Sequence, residues 1–168
     1  MSTIYEFSVP VLVKGLRGLK TILEKAQTAG VDESVLLSDA LAPDMFPFVK
    51  QVQIACDNAK GAVARLSGQE VPVHEDVETS LAELIARVEK TITYVESVTA
   101  AMLEDAHDRS VTLPYFPGLY MTGYDYLREF VLPNFFFHIT TAYALVRRNG
   151  VTIGKSDYLA GLPLQPVQ

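Results

Sequence analysis

The chain has 168 residues, a formal net charge of −6 and a single cysteine, Cys56. This length favours one domain over residues 1–168, and one cysteine excludes an internal disulfide framework. The acidic balance, with Lys and Arg scattered along the chain, argues against nucleic acid and against a membrane surface as partners. The first residues lack the basic and apolar stretches of a signal peptide, and no apolar run approaches the ~20 residues that span a bilayer, so we expect a cytoplasmic protein.

The first predicted helix spans residues 3–29 and ends at Gly30, which closes it as a C-cap. Pro10 has no backbone donor, so it predicts a kink or a helix start near Ser8. Residues 31–43 are predicted to form a connecting loop with room for one helical turn. The apolar residues of the helix recur at spacings that place them on one stripe facing a core: Tyr5, Val9, Leu12, Leu16, Leu19, Leu23 and Ala26.

The second predicted helix spans residues 44–66, with Asp44 as its N-cap and Pro47 in its first turn. The third begins at His74-Glu75-Asp76, whose acidic side chains suit the positive end of a helix dipole. Alternating spacings of four and three predict its buried face: Val77, Leu81, Leu84, Val88, Thr91 and Val95. The face exposed to solvent is predicted to carry Glu83, Arg87, Glu89 and Lys90.

Residues 109–123 interrupt the helical pattern, and two prolines in this stretch do not fit a central strand, so we predict a short β-hairpin or an extended loop. The fourth helix begins at Thr122, whose spacing from Asp125 resembles a capping box, and ends near Asn149-Gly150. An irregular tail follows from about residue 151. Four helices joined by modest loops predict an all-α four-helix bundle.

The fourth helix carries two polar side chains on its predicted core stripe. Asn134 and His138 are four residues apart and lie on one face, where an imidazole and an amide can build a metal or substrate site. A hydrogen-bonded core histidine is the simpler interpretation, because this helix is apolar on nearly all sides. Pro133 leaves the carbonyl of Glu129 without its donor, which predicts a widened turn. The other residues of the stripe are Leu127, Val131, Thr141 and Leu145.

The second helix offers partners for this pair. Gln53 and Asp57 are also four residues apart, and Asp57 can supply an oxygen ligand or a carboxylate that orients the imidazole of His138. The alternative is a solvated face on which Asp57 pairs with Lys60. The sequence contains no Gly-rich phosphate loop, no Gly-x-Ser-x-Gly nucleophile elbow and no His-Glu-x-x-His zinc motif.

The remaining reactive side chains predict less chemistry. Cys56 is predicted to be a core residue, because it neighbours apolar residues at helical spacings. His74 is predicted to be a cap or a surface residue, and His107 to lie in a polar turn. Aromatic residues cluster in and after the predicted hairpin: Tyr115, Phe116, Tyr120, Tyr124 and Tyr126. Such a cluster predicts a lid over a pocket, a dimer contact or simple packing of the loop on the bundle.

Several short stretches carry a family resemblance: residues 41–47, 51–55, 60–61, 132–138 and 140–143, which read LAPDMFP, QVQIA, KG, LPNFFFH and TTAY. They resemble a bacterial family of unknown function within the DinB/YfiT-like superfamily of metalloenzymes, over about residues 5–159. The resemblance implies a four-helix bundle that binds nickel or zinc through three histidines, one on the second helix and a His-x-x-x-His pair on the last. It also implies, for some members, thiol-dependent transferase or isomerase activity.

This chain departs from that histidine pattern. Asn134-x-x-x-His138 replaces the pair, and the second helix offers Gln53 or Asp57 instead of a histidine. One imidazole with amides suits zinc poorly, so we expect no metal cofactor, and a small molecule bound between helices two and four by Asn134, His138, Gln53 and Asp57. The alternative is an active transferase or isomerase with nickel or zinc on His138, Asp57 and Asn134, so enzyme activity stays open.

The composition also predicts self-association. The hydrophobic content is 49% and the mean hydropathy is +0.18, which suggests more apolar surface than a monomer needs. The resemblance implies dimers as well. We therefore expect a homodimer with an all-helical or hairpin-assisted interface, and neither nucleic acid nor a membrane as partner.

Overall fold

The structure is a computed structural model that describes residues 3–167. Met1, Ser2 and Gln168, at the ends of the predicted first helix and tail, lie outside the described residues. The elements follow in this order: α1 Thr3–Phe7, α2 Val9–Thr28, α3 Glu33–Ser38, α4 Phe48–Ser67, α5 Leu81–Glu96, a 3-10 turn Ala101–Leu103, β1 Ser110–Thr112, β2 Tyr120–Thr122, α6 Gly123–Asp125, a π-helical segment Tyr126–Val131, α7 Leu132–Arg148 and α8 Lys155–Leu159.

The four long helices α2, α4, α5 and α7 form the bundle that the sequence predicts. Helix α2 packs against α5 and α7, and α4 packs against the same two helices, so α2 and α4 lie across a diagonal. The predicted stripe of α2 is buried in the core from Val9 to Ala26. No helix in the described part of the chain combines the length and apolarity that crossing a bilayer requires.

Three irregular points of the fold follow from proline and turn chemistry, as predicted. Helices α1 and α2 meet at Ser8, two residues before Pro10. Strands β1 and β2 pair antiparallel, which confirms the hairpin. A π-helical segment, Tyr126–Val131, leads directly into α7. Pro133 has no N–H to donate to the carbonyl of Glu129, so the helix widens there.

The predicted start of the second long helix is wrong. Helix α4 begins at Phe48 and not at Asp44, because Pro47 disfavours helical geometry at the residue before it. Residues 39–47 instead form a loop that returns to the bundle, where the Phe48 N–H donates to the carbonyl of Asp39 at 2.8 Å.

The predicted start of the third long helix is also wrong. Helix α5 begins at Leu81, since the Ser80 hydroxyl accepts a hydrogen bond from the backbone N–H of Glu83 at 3.2 Å and so caps the helix. Residues 69–80 form an irregular segment that lies against α4 and α5. Val77, predicted to be on a buried helix face, is 72% exposed.

The predicted tail contains one further helix. Val151 and Ile153 are buried, and α8 packs on α2. Gly18 permits this contact, because a Cβ there would collide with the backbone carbonyl of Tyr158. Beyond α8, residues 161–167 are irregular and exposed.

Candidate functional site

A cleft of about 640 Å³ opens between α4 and the last long helix. The last helix contributes side chains spaced by four residues: Tyr126, Phe130, Asn134 and His138. The α4 wall consists of Ile54, Asp57, Asn58, Lys60 and Arg65. The rim includes Val71, Pro72, Val73 and His74, together with Leu113 and Tyr115 of the hairpin loop. Three of the predicted site residues, Asp57, Asn134 and His138, therefore line the same cleft.

The imidazole of His138 is held in one orientation and one tautomer. Its Nδ1 lies 2.7 Å from Oε1 of Gln51, whose Nε2 donates to the carbonyl of Phe46 at 2.8 Å. Because that carbonyl only accepts, the Gln51 oxygen faces His138 and Nδ1 carries the proton. The other ring nitrogen, Nε2, has no hydrogen-bond partner among residues 3–167. Burial lowers the pKa of His138, so the imidazole is neutral at pH 7.

Sequence reasoning considered Gln53 and missed Gln51. Gln53 is 2% exposed and turns away from the cleft, toward residues 69–80, where its Nε2 donates to Glu78 at 2.8 Å. Gln51 shares a face with Ile54 and Asn58, three and seven residues later. That spacing is visible in the sequence, but only the contact with His138 shows that this face of α4 is turned toward the last helix.

The carboxylate of Asp57 is engaged by cations. Its Oδ1 lies 2.7 Å from Nζ of Lys60 and 2.9 Å from Nη2 of Arg87. No hydrogen bond joins it to Asn134 or His138 in the described part of the chain. The predicted Asp57–Lys60 pair is present, but Lys60 is 4% exposed and so belongs to the cleft wall instead of a solvated face.

Arg87 ties residues 69–80 to the bundle. Its guanidinium lies 2.9 Å from Asp57, 3.0 Å from Asp76 and 2.9 Å from Glu78. Burial by itself raises the pKa of Glu78, but hydrogen bonds, first among them that from Arg87, outweigh burial and leave the pKa lowered. Arg87 is 4% exposed, so its predicted place on a solvated face is wrong.

Two buried polar atoms on cleft residues lack a partner. Asn58 Oδ1 and His74 Nδ1 make no hydrogen bond within residues 3–167. Burial, and then the positive charge of Lys60, lowers the pKa of His74, so its imidazole is neutral at pH 7. An unpaired buried polar group costs about 1–3 kcal/mol, so we expect water or a bound molecule to supply the partner of these atoms.

Cys56 is fully buried in the core, as predicted. Burial raises the pKa of its thiol to about 12. A thiol that stays protonated at pH 7 is a poor nucleophile, since the thiolate is the reactive form. His107 is exposed in the turn before β1 and lies away from the cleft lining.

The donors that meet in the cleft do not fit a transition-metal site. His138 offers one nitrogen, Asn134 offers an amide, and the Asp57 carboxylate is already paired with two cations. Zinc and nickel favour several imidazole, thiolate or carboxylate donors. Within residues 3–167, no three His, Cys, Asp or Glu side chains approach closely enough to share an ion.

Comparison with known proteins gives the family and the fold. The model of the family described as a domain of unknown function, DUF1993, matches residues 4–159. The crystal structure of a DinB family member protein from Shewanella denitrificans has a TM-score of 0.90 and 43% sequence identity, and the match covers 97% of this chain and 95% of that chain. None of the curated proteins matches this chain.

Proposed function

This chain belongs to the DUF1993 family and has a DinB-like fold, and from the cleft that this fold contains we propose that it binds a small organic molecule between α4 and α7. The proposal rests on the unpaired buried atoms of Asn58 and His74, which line a cleft that has apolar side chains on both walls. Small-molecule sites combine apolar walls with a few polar groups that fix the ligand. His138 adds an acceptor, because its Nε2 carries the lone pair.

The same donors support the proposal that no transition metal takes part. In this proposal Gln51 replaces a ligand on α4 and holds His138 by hydrogen bonding, and Asn134 contributes an amide that metals bind weakly. The site is therefore a degenerate form of the metal site that the family resemblance implies. The alternative, a nickel- or zinc-dependent transferase or isomerase, requires His138, Asp57 and Asn134 to act as ligands.

The substitution His138→Ala separates these alternatives. We expect it to lower the free energy of unfolding by about 1–3 kcal/mol, because the oxygen of Gln51 loses its buried donor. Metal content, measured by elemental analysis of protein purified without chelator, should be the same in both proteins. The matched control His107→Ala, at an exposed position, should change stability by less than about 0.5 kcal/mol.

Two outcomes contradict this proposal. Stoichiometric nickel or zinc that disappears in the His138→Ala variant would restore the metalloenzyme interpretation. Small organic fragments should also shift the side-chain amide NMR signals of Asn58 and Asn134, and His138→Ala should weaken that binding. Fragments that shift only signals outside the cleft would show that the ligand site lies elsewhere.

We also propose that the chain forms a homodimer. Apolar side chains of the hairpin are exposed: Tyr115, Phe116, Leu119 and Tyr120. Association about a twofold axis buries the same patch on both copies, which removes this apolar surface from water. Light scattering over a range of concentrations should give the dimer mass, and Leu119→Lys should shift the equilibrium toward monomer, whereas Leu164→Lys, in the exposed tail, should not. A monomer mass at every concentration rejects the dimer.

A further inference from the structure

The cleft carries one positive charge that nearby carboxylates do not balance. Three cations and three carboxylates beside the cleft neutralise one another: Lys50, Lys60 and Arg87 with Asp57, Asp76 and Glu78. Arg65 also lines the cleft, and no carboxylate of residues 3–167 lies within ion-pair distance of its guanidinium. Its side-chain partner is the phenol of Tyr126, at 3.4 Å. This phenol is neutral at pH 7, since burial raises the pKa of Tyr126 more than the charge of Arg65 lowers it.

Gly61 makes room for this guanidinium. Arg65 follows it by four residues, so the two positions lie on one face of α4. A Cβ at Gly61 would collide with Nη1 of Arg65. The guanidinium therefore lies against the helix backbone at the cleft wall. It has five N–H donors, of which Tyr126 accepts one.

We propose that the cleft takes a small organic acid, whose single carboxylate pairs with Arg65 and whose apolar body packs against Phe130 and Val71. This inference rests on the proposed function and names its ligand class. One surplus charge matches one carboxylate, whereas a phosphate brings a charge of about −2. The planar fork of a guanidinium fits the two oxygens of a carboxylate, and apolar side chains on both sides of the cleft suit a hydrocarbon or aromatic body.

The test uses matched acids and amides as probes. Benzoate with benzamide, and cinnamate with cinnamamide, have nearly the same shape and differ in charge. Their affinities are measured by NMR titration of the side-chain amide signals of Asn58 and Asn134, with inorganic phosphate as a second anion. We expect each acid to bind at least about tenfold more tightly than its amide, because only the acid pairs with the guanidinium.

Two variants assign that preference to Arg65. Arg65→Met should reduce the affinity for the acids at least about tenfold and leave the affinity for the amides unchanged. Gly61→Ala keeps the charge and displaces the guanidinium, so it should also reduce the preference for acids, while the helix gains about 0.5–1 kcal/mol from the loss of glycine. Arg17→Met, at an exposed ion pair on α2, should leave the preference unchanged.

The outcomes distinguish this inference from the proposed function. Equal binding of acids and amides, unaffected by Arg65→Met, would overturn the carboxylate assignment and leave small-molecule binding in the cleft intact. Binding of phosphate in place of the acids, lost in Arg65→Met, would overturn it in favour of a phosphorylated ligand. Failure of every acid and amide to shift the cleft signals would contradict both.

Discussion

The substitution Arg87→Ala should lower the free energy of unfolding by about 3–5 kcal/mol, a large part of the 5–15 kcal/mol or so that stabilises a typical domain. Arg87 is 4% exposed and contacts Asp57, Asp76 and Glu78 at 2.9–3.0 Å. Removal of the guanidinium leaves the Glu78 carboxylate, with 10% of its side chain exposed, without its cationic partner. Urea denaturation followed by circular dichroism measures the change.

A matched control tests whether burial causes this effect. Arg17 pairs with Glu96 at 2.7 Å, but the exposed fractions of the two side chains are 62% and 46%. Arg17→Ala should therefore cost no more than about 1 kcal/mol. Similar losses for Arg17→Ala and Arg87→Ala would show that the buried cluster adds nothing to an ordinary surface pair.

The Arg87→Ala variant should also loosen residues 69–80. Arg87 Nη1 donates to the backbone carbonyl of Glu75 at 2.9 Å, so it holds this segment by its main chain as well as by its carboxylates. Amide hydrogen exchange at residues 71–79 should accelerate in the variant, even under conditions where the bundle stays folded. Unchanged exchange there would show that Lys50 and Asp76 hold the segment without Arg87.

The same cluster shows where prediction from sequence reaches its limit. Periodicity predicted the buried residues Leu81, Leu84 and Val88 of α5, because apolar spacing depends only on local geometry. It placed Arg87 on a solvated face, because the periodicity of α5 contains no information about residues 69–80, which cover that face in the structure. Residues 74–80 of this segment were themselves predicted to belong to the third helix. Helix faces therefore followed from local pattern, whereas burial of a charge depended on the path of a separate segment.

In the candidate site, too, local spacing predicted one part, and packing between helices determined the other. The spacing of Asn134 and His138 predicted that both belong to one face of the last helix, and both line the cleft. The α4 partner of His138 is Gln51, whose side-chain amide also donates to the backbone carbonyl of Phe46, and only the rotation of α4 about its axis distinguishes Gln51 from Gln53. A two-residue difference turns the side chain by more than half a turn of the helix, so the choice of residue needs three-dimensional packing.

Substitutions among the three consecutive phenylalanines of α7 should have very different effects on the free energy of unfolding. Phe135 is fully buried, whereas Phe137 is 53% exposed. Phe135→Ala should lower the free energy of unfolding by about 3–5 kcal/mol, because it removes a whole ring from the core. Phe137→Ala should change it by less than about 0.5 kcal/mol at concentrations where the protein is monomeric. The sequence did not distinguish them, since a run of phenylalanines has no period. Equal losses in urea denaturation would contradict the burial difference.

Gly15 supplies an internal check on the packing of Phe135. The ring lies against α2 at Gly15, where an added Cβ would lie 2.5 Å from a ring carbon. Gly15→Ala in the wild-type chain should therefore destabilise it, although alanine is the better helix former by about 1 kcal/mol. In the Phe135→Ala background the ring is gone and only the tip of Ile139, 3.3 Å from the added Cβ, has to shift into the vacated space, so the same substitution should stabilise the protein by up to that amount. This change of sign in a double-mutant cycle measures the contact between α2 and α7 directly. If Gly15→Ala had the same effect in both backgrounds, Phe135 would not be the side chain that packs on α2.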